Sequence, residues 1–374
     1  MPEALKTVLL SGAFGQVGKR CLDILLARNY RVIAVELRNS KTESIAAERQ
    51  SAHDNLVVAF ADLLDRGAVD TLFRHYCPDA VIHLAAICSP PCYLNPSLAR
   101  RVNVDATRHL LEAAVQSGKQ PLFAYASSSA VYGSRNPFLH PHGVDDSTPV
   151  KPVECYGRDK VDSENLVIQS GLPYAVLRLA GVLSPDGLGN MKGEYLLLTR
   201  ATPGDTRVHG VDARDAALAF ANAIELPAEK RDRVFLIGGN DSYLKTQREI
   251  EDDMMAAIGI GRLGEGASLP GDPDDEYGWS FTDWYDTRQA QATLNFQQHN
   301  WDETRAWVAD GLPRPVRFFI RLVSPLLRAV MRLNLSVQKK KENRGRYADP
   351  WRLIAETYGE EVLVEDAAAR LRSL

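Results

Sequence analysis

Seven short runs in the first 240 residues are apolar at consecutive positions rather than at alternate ones. They are Thr7–Ser11, Arg31–Glu36, Leu56–Ala61, Ala80–Ala85, Leu122–Ser127, Tyr174–Leu179 and Val234–Gly238. Each is bounded by turn residues, the pattern of strands covered on both faces inside a parallel sheet. Longer amphipathic stretches lie between them, such as Val17 to Arg28 and Val102 to Ser117. This alternation predicts an α/β fold, a doubly wound parallel sheet with right-handed crossovers.

After Gly239 the rhythm changes. Gln247 to Ile258 has helical periodicity, and Gly259 to Asp275 is loop, rich in Gly, Pro and Asp. A helix is expected from Asp286, whose carboxylate can cap it, with Gln289 completing a capping box. Arg314 to Leu335 is basic and apolar, Lys339 to Arg346 reads as a solvated linker, and Asp349 to Tyr358 as a last short helix. The expected organisation is therefore a nucleotide-binding domain over 1–180, completed by about 206–240. A smaller C-terminal substrate-binding lobe comprises 181–205 and 241–313, and a basic amphipathic helical tail covers 314–374.

With a quarter of its residues charged and a net charge of −4, the chain has no bulk attraction to nucleic acid. Its five cysteines, at 21, 77, 88, 92 and 155, show no paired C-x-x-C spacing. They read as reduced thiols with no metal site, Cys88 and Cys92 included. No signal peptide is read at the start, and nothing reaches the ~18 uninterrupted apolar residues of a membrane span. The expected location is cytoplasmic, with membrane association left open by the C-terminal segment.

The first strand runs into Ser11-Gly12-Ala13-Phe14-Gly15-Gln16-Val17-Gly18. In such a turn Gly12 permits the tight bend, Gly15 lets backbone approach a pyrophosphate, and Gly18 lets helix pack on strand. The helix start at Gln16 and Val17 offers N–H groups and partial positive charge to phosphates. Glu36 ends the second strand, where a carboxylate can bond the adenosine ribose. That carboxylate favours NAD, while Arg38 beside it leaves NADP open.

Tyr156 and Lys160 stand four apart, so on a helix they project from one face. A neighbouring cation is expected to lower the phenol's pKa and suit it to proton transfer while a nicotinamide carries hydride. The fifth strand ends in three serines, Ser127 to Ser129, at the sheet edge where ligands of such folds bind.

With these elements in this order, residues 5–310 resemble the extended short-chain dehydrogenase/reductases, the epimerase/dehydratase-like enzymes built on a Rossmann sheet. The likeness is carried by the glycine turn, Asp62-Leu63, His83-Leu84-Ala85-Ala86, Asn103, Val131-Tyr132-Gly133, and Tyr156 with Lys160. It continues through Val208 to Asp215 and Trp284 to Thr287. The resemblance implies a catalytic Ser128, four before Tyr132, together with Tyr156 and Lys160. It implies adenine contacts from Asp62 and Leu63, a cofactor wall of Leu84, Ala85 and Ala86, and Asn103 supporting the site, with Asn103 and Tyr156 also counted among the cofactor-binding residues. Lys160 would hold the nicotinamide ribose, and homodimers are common in the family.

Departures bear on the substrate. Ser129 and Ala130 occupy the positions of the dehydratases' acidic pair, and Gly181 stands where an asparagine usually helps hold a nucleotide sugar. The stretch Pro185 to Val208 carries only Lys192, Arg200 and Arg207 as cations, few for a diphosphate. The leading expectation is an NAD(P)-dependent oxidoreductase interconverting hydroxyl and carbonyl on a small or lipophilic substrate. The alternatives are a nucleotide-sugar epimerase and a non-catalytic dinucleotide sensor. His140 and His142 read as loop residues and His83 as a satisfied core residue.

Arg314, Arg317, Arg321, Arg328 and Arg332 form one helical stripe, with Val316, Phe319, Ile320, Val323, Leu326, Leu327, Val330 and Leu333 opposite. Peripheral membrane contact through 314–341 is one expectation. The other is a helix docked on its own protein with arginines in solvent. Pro325 is expected to kink or split it.

Overall fold

The computed structural model describes residues 6–190, 194–342 and 344–373. Its strands are β1 (Thr7–Ser11), β2 (Arg31–Glu36), β3 (Leu56–Phe60), β4 (Ala80–His83), β5 (Leu122–Ser128), β6 (Tyr174–Leu179), β7 (Gly181–Leu183), β8 (Arg207–Asp212), β9 (Arg233–Ile237) and β10 (Leu244–Thr246). The helices of the first half are α1 (Gly18–Ala27), α2 (Ser40–Ala52), α3 (Arg66–Tyr76), α4 (Pro96–Arg100), α5 (Ala106–Gln116) and α6 (Cys155–Gln169). Those of the second half are α7 (Glu194–Ala201), α8 (Ala213–Ala223), α9 (Gln247–Ala257), α10 (Arg288–Leu294), α11 (Trp301–Asp310), α12 (Arg314–Lys341), α13 (Pro350–Tyr358) and α14 (Glu365–Arg372).

Seven strands form one sheet in the order β3-β2-β1-β4-β5-β6-β9, with every neighbouring pair parallel. Alternate side chains enter opposite cores, as the two-residue period of a strand requires. Val8 and Leu10 join α1 and α8 on one face, and Leu9 joins α3 and α5 on the other. The faces of α8 and α1 can approach closely because α8 presents Ala216, Ala217 and Ala219 around Phe220. The strand order reverses between β1 and β4, and such a switch point opens a crevice at the strands' carboxyl ends.

A second sheet, β10-β8-β7, builds the smaller lobe. Of the segment expected to complete the large domain, only α8 and β9 do so. β8 pairs with β7 and β10 in the small sheet instead. The helix expected from Asp286 begins at Arg288 after Thr287, and the Asp286 carboxylate accepts from both the Arg288 amide at 3.2 Å and the Arg288 side chain at 2.8 Å.

The expected tail divides in two. α12 runs unbroken through Pro325 and takes in Lys339 to Lys341, so the expected linker is largely helix. Residues 344–373 then fold back onto the body. The Trp351 indole donates to the Ser134 hydroxyl at 2.7 Å, and the Val364 amide to the Val153 carbonyl at 3.1 Å. α14 had no counterpart among the expected elements. Its alanines 367 and 368 pack with Trp351, Ile354 and Leu363 against Cys92, Ala130 and Tyr156.

Candidate active site

The glycine turn is shaped by what a side chain would strike. Gly12 has φ +68°, and a Cβ there would lie 2.8 Å from the Ala85 amide nitrogen. At Gly18 a Cβ would lie 2.0 Å from the Gly12 carbonyl oxygen, so helix and turn touch through bare backbone. Val17 stands at the N-cap of α1 and has no side-chain group to cap it. The helix start is therefore left to an external anion, the arrangement a pyrophosphate uses. Gln16 does not face that site with its amide, which donates to the Val182 carbonyl at 3.1 Å and ties the turn to the small lobe.

Glu36 accepts from the Phe14 amide at 2.6 Å, which joins the end of β2 to the turn. Burial pushes its carboxyl above the ordinary range, opposed by amide bonds from Phe14 and Leu37. Arg38 pairs with Glu43 at 2.7 Å and lies over the Phe60 ring at 4.4 Å. A carboxylate at the ribose position beside a partly neutralised arginine fits NAD better than a 2′-phosphate. Asp62 accepts from the Leu64 amide at 2.9 Å, and the Leu63 carbonyl meets His109 at 2.9 Å, which holds the loop after β3 in place.

Behind the cradle runs a buried polar chain. Ser11 meets His83 at 2.6 Å, His83 meets Thr107 at 3.0 Å, and Thr107 donates to the Asn103 carbonyl at 2.6 Å. Burial, with Lys160 nearby, pushes His83 down to about 3, so it is a neutral strut. The Asn103 side chain clamps Ile87 from both sides, accepting from its amide at 2.9 Å and donating to its carbonyl at 3.1 Å. Asn103 was expected among the cofactor-binding residues. It is buried with its amide engaged on Ile87, so it holds the strand-four loop bearing Leu84, Ala85 and Ala86 rather than touching a cofactor.

At the end of β5 the three serines separate. Ser127 donates to the buried Glu164 carboxylate, itself paired with Arg178 at 2.7 Å, and Ser129 is buried. Ser128 is only half-buried, and its oxygen accepts from the Ala130 amide at 3.2 Å, which leaves its O–H free to donate.

α6 begins under Glu154, whose carboxylate accepts from the Tyr156 and Gly157 amides at 2.8 and 2.7 Å. This caps two N–H groups of the first turn and sets the two site residues on one face. Lys160 is buried, with its ammonium 5.6 Å from the Tyr156 ring centre. It donates to the Ala126 carbonyl at 2.7 Å and the Tyr125 hydroxyl at 3.3 Å. The Tyr156 phenol, 8% exposed, meets the Cys88 sulfur at 3.5 Å. The expected lowering of the phenol's pKa is reversed in this arrangement. Burial, with Cys88 beside it, pushes Tyr156 well above its ordinary value.

Sequence reasoning missed three neighbours of the phenol. Cys88 is exposed yet touches it, Glu154 caps its helix, and the last helices wall its cluster. Only Glu154 carried a local signal, an acidic residue just ahead of a helix. The ligand atoms of Cys92, Cys155 and Glu154 lie within 4.8 Å of one another. That carboxylate serves the α6 amides, and a hydrogen bond with Cys155, then burial, push the Cys92 thiol up, so this group is a packed thiol pair.

The chain is similar to several known proteins. The profile of the NAD dependent epimerase/dehydratase family matches residues 8–238. UDP-glucose 4-epimerase 2 of Oryza sativa subsp. japonica is 31% identical over 171 residues, covering 44% of this chain and 41% of that protein. D-erythronate dehydrogenase of Cupriavidus necator is 33% identical over 167 residues, covering 43% and 49%. The chain thus spans about half the length of the curated relatives it matches. Among solved structures, MoeE5 in complex with UDP-glucose and NAD superposes with a TM-score of 0.60 at 26% identity, covering 82% of this chain and 98% of that one.

Proposed function

The chain belongs to the NAD dependent epimerase/dehydratase family, and from that premise we propose that it epimerises a nucleotide sugar by reversible oxidation of a ring hydroxyl. The observation that carries this reading is the Tyr156–Lys160 face of α6. It packs against the end of β5, where Lys160 donates to the Ala126 carbonyl two residues before Ser128, in a chain related to UDP-glucose 4-epimerases. Bound NAD supplies a place for a hydride to go and return from. Gly12, Gly15 and the start of α1 hold its diphosphate, Glu36 its adenosine ribose, Asp62 and Leu63 its adenine, and Lys160 its nicotinamide ribose. Ser128 donates to the reacting oxygen and fixes its position. On the outward step the Tyr156 phenolate takes the hydroxyl's proton, and on the return step the phenol gives it back. Burial favours the neutral phenol, so the phenol must first release its proton to solvent. The outward step requires a cation to approach the phenol, and Lys160 is the residue within reach.

A second reading is a dehydrogenase acting on a smaller or more lipophilic alcohol. It is favoured by the state of the cations a diphosphate would need. Arg200 is paired with Glu342 at 2.6 Å. Arg207 lies 3.8 Å from Asp283 and stacks on Trp284. Lys192 lies outside the described residues. The relationship to D-erythronate dehydrogenase points the same way. Both readings need an intact phenol and ammonium, which argues against a sensor without catalysis.

The two are separated by incubating the chain with UDP-glucose and NAD, following UDP-galactose by chromatography and reduced nicotinamide by fluorescence. An epimerase interconverts the sugars with no net reduced cofactor. Accumulation of reduced cofactor only with small alcohols supports the second reading. Under either, Tyr156→Phe lowers turnover about 10²–10⁴-fold while NAD still binds. Unchanged turnover in that variant refutes the assignment of the phenol.

A further inference from the structure

α12 is docked backwards for a helix of a soluble protein. Amphipathic helices normally turn the apolar stripe inward. Here Arg328 donates to the Ile260 carbonyl at 2.6 Å and Arg332 to the Leu263 carbonyl at 2.9 Å, while Arg317 pairs with Asp310 at 2.8 Å. Gly259 and Gly261, both at positive φ, let this loop press against the helix: a Cβ at 261 would lie 2.4 Å from the Arg328 guanidinium. Ser324 is the residue of α12 that is buried.

The opposite face is apolar and open. Phe318 is 71% exposed, Leu322 70%, Leu326 67% and Leu333 66%, with Phe319 and Val337 in the same stripe. From Phe318 to Val337 the stripe runs about 28 Å at the α-helical rise. A contiguous apolar surface of this kind marks an interaction site.

We propose that this face of α12 seats the protein on an anionic lipid bilayer, with the helix lying in the plane of the interface. Charge decides the occupant. Residues 314–341 hold eight cations and no carboxylate, in a chain whose net charge is −4. A second copy packed along the same stripe sets cation against cation: antiparallel, Lys339 to Lys341 approach Arg314; parallel, the lysines meet each other. An anionic surface accepts Arg314 and Lys339 to Lys341, which stand exposed, while hydrocarbon takes the phenylalanines and leucines. Among the described residues no helix is long and apolar enough to cross a membrane, so the helix lies on the bilayer.

The test is flotation of the full chain with vesicles of equal parts phosphatidylcholine and phosphatidylserine, against phosphatidylcholine alone. The chain floats with the mixed vesicles. The double variant Phe319→Glu/Leu326→Glu stays behind with an unchanged melting curve, because both side chains stand in solvent. A second variant, Lys339→Gln/Lys340→Gln/Lys341→Gln, weakens binding roughly a hundredfold. Failure of the wild-type chain to float with anionic vesicles overturns the proposal. So does light scattering that finds a lipid-free dimer dissociated by the double variant, which makes the occupant a second copy.

Discussion

Replacing Glu154 by glutamine probes the residue that starts the helix of Tyr156 and Lys160. Glu154 is completely buried, and burial pushes its carboxyl from the usual 4.5 up to about 7, against the pull of the Tyr156 and Gly157 amides. In the unfolded chain the proton leaves near 4.5. Between those values the folded protein keeps a proton that the unfolded chain has released, so raising the pH favours unfolding. The contribution is fully present below about pH 4.5 and is lost as the pH rises through about 7. At about 1.36 kcal/mol per pH unit, the gap between the two values amounts to roughly 3 kcal/mol. Glutamine keeps the volume and one acceptor oxygen but cannot ionise. The stability of Glu154→Gln relative to wild type therefore climbs by roughly 3 kcal/mol between about pH 4.5 and 8, whatever its offset at the acid end. Urea unfolding of both proteins by circular dichroism across that range measures the difference directly, since every other titrating group cancels. A difference that stays constant with pH would refute the argument that this carboxyl carries a raised pKa.

Three further outcomes are expected. Iodoacetamide attacks exposed Cys88, whose sulfur touches the Tyr156 phenol, and removes at least about nine-tenths of turnover in a Cys77→Ala background; Cys88→Ala resists, and equal sensitivity would separate the thiol from the site. Trp351→Ala costs about 3–5 kcal/mol in a denaturant titration, because a fully buried indole and its bond to Ser134 are lost; a change below about 1 kcal/mol would mean that the last helices do not brace the core. Gly12→Ala forces a Cβ toward the Ala85 amide at a positive φ and weakens NAD binding by at least about tenfold in calorimetry, and wild-type affinity would contradict the cradle as drawn.

Much of the large domain was legible because its signals are local. β1, β2 and β6 begin and end where consecutive apolar residues do, and the other strands of the main sheet differ by a residue or two at their ends. The glycine turn was legible for the same reason, since Gly12 and Gly18 answer to backbone contacts within one strand–turn–helix unit. The pairing of Tyr156 with Lys160 on one face needed only the helical period. Charge environment was not legible. The phenol's direction of titration follows first from its burial and then from Cys88 and Tyr125, which approach from two other segments. Ser128 was singled out by the resemblance, but that Ser127 is occupied by Glu164 rests on a contact across a sequence gap that no local pattern bridges.

The sequence alone determined the strand–helix order, the dinucleotide turn and the amphipathic pattern of residues 314–341, because each is written in spacings of two, three or four residues. Tertiary structure decided which way α12 faces and what the last thirty residues cover. A stripe of arginines opposite a stripe of leucines is the same sequence whether its apolar side is inward or outward. The carbonyls of Ile260 and Leu263, fixed by a glycine-rich loop some 70 residues away, hold the basic side. Likewise the short apolar runs of α13 and α14 become the wall of the Tyr156 cluster only because Val153 and Ser134 are there to receive them.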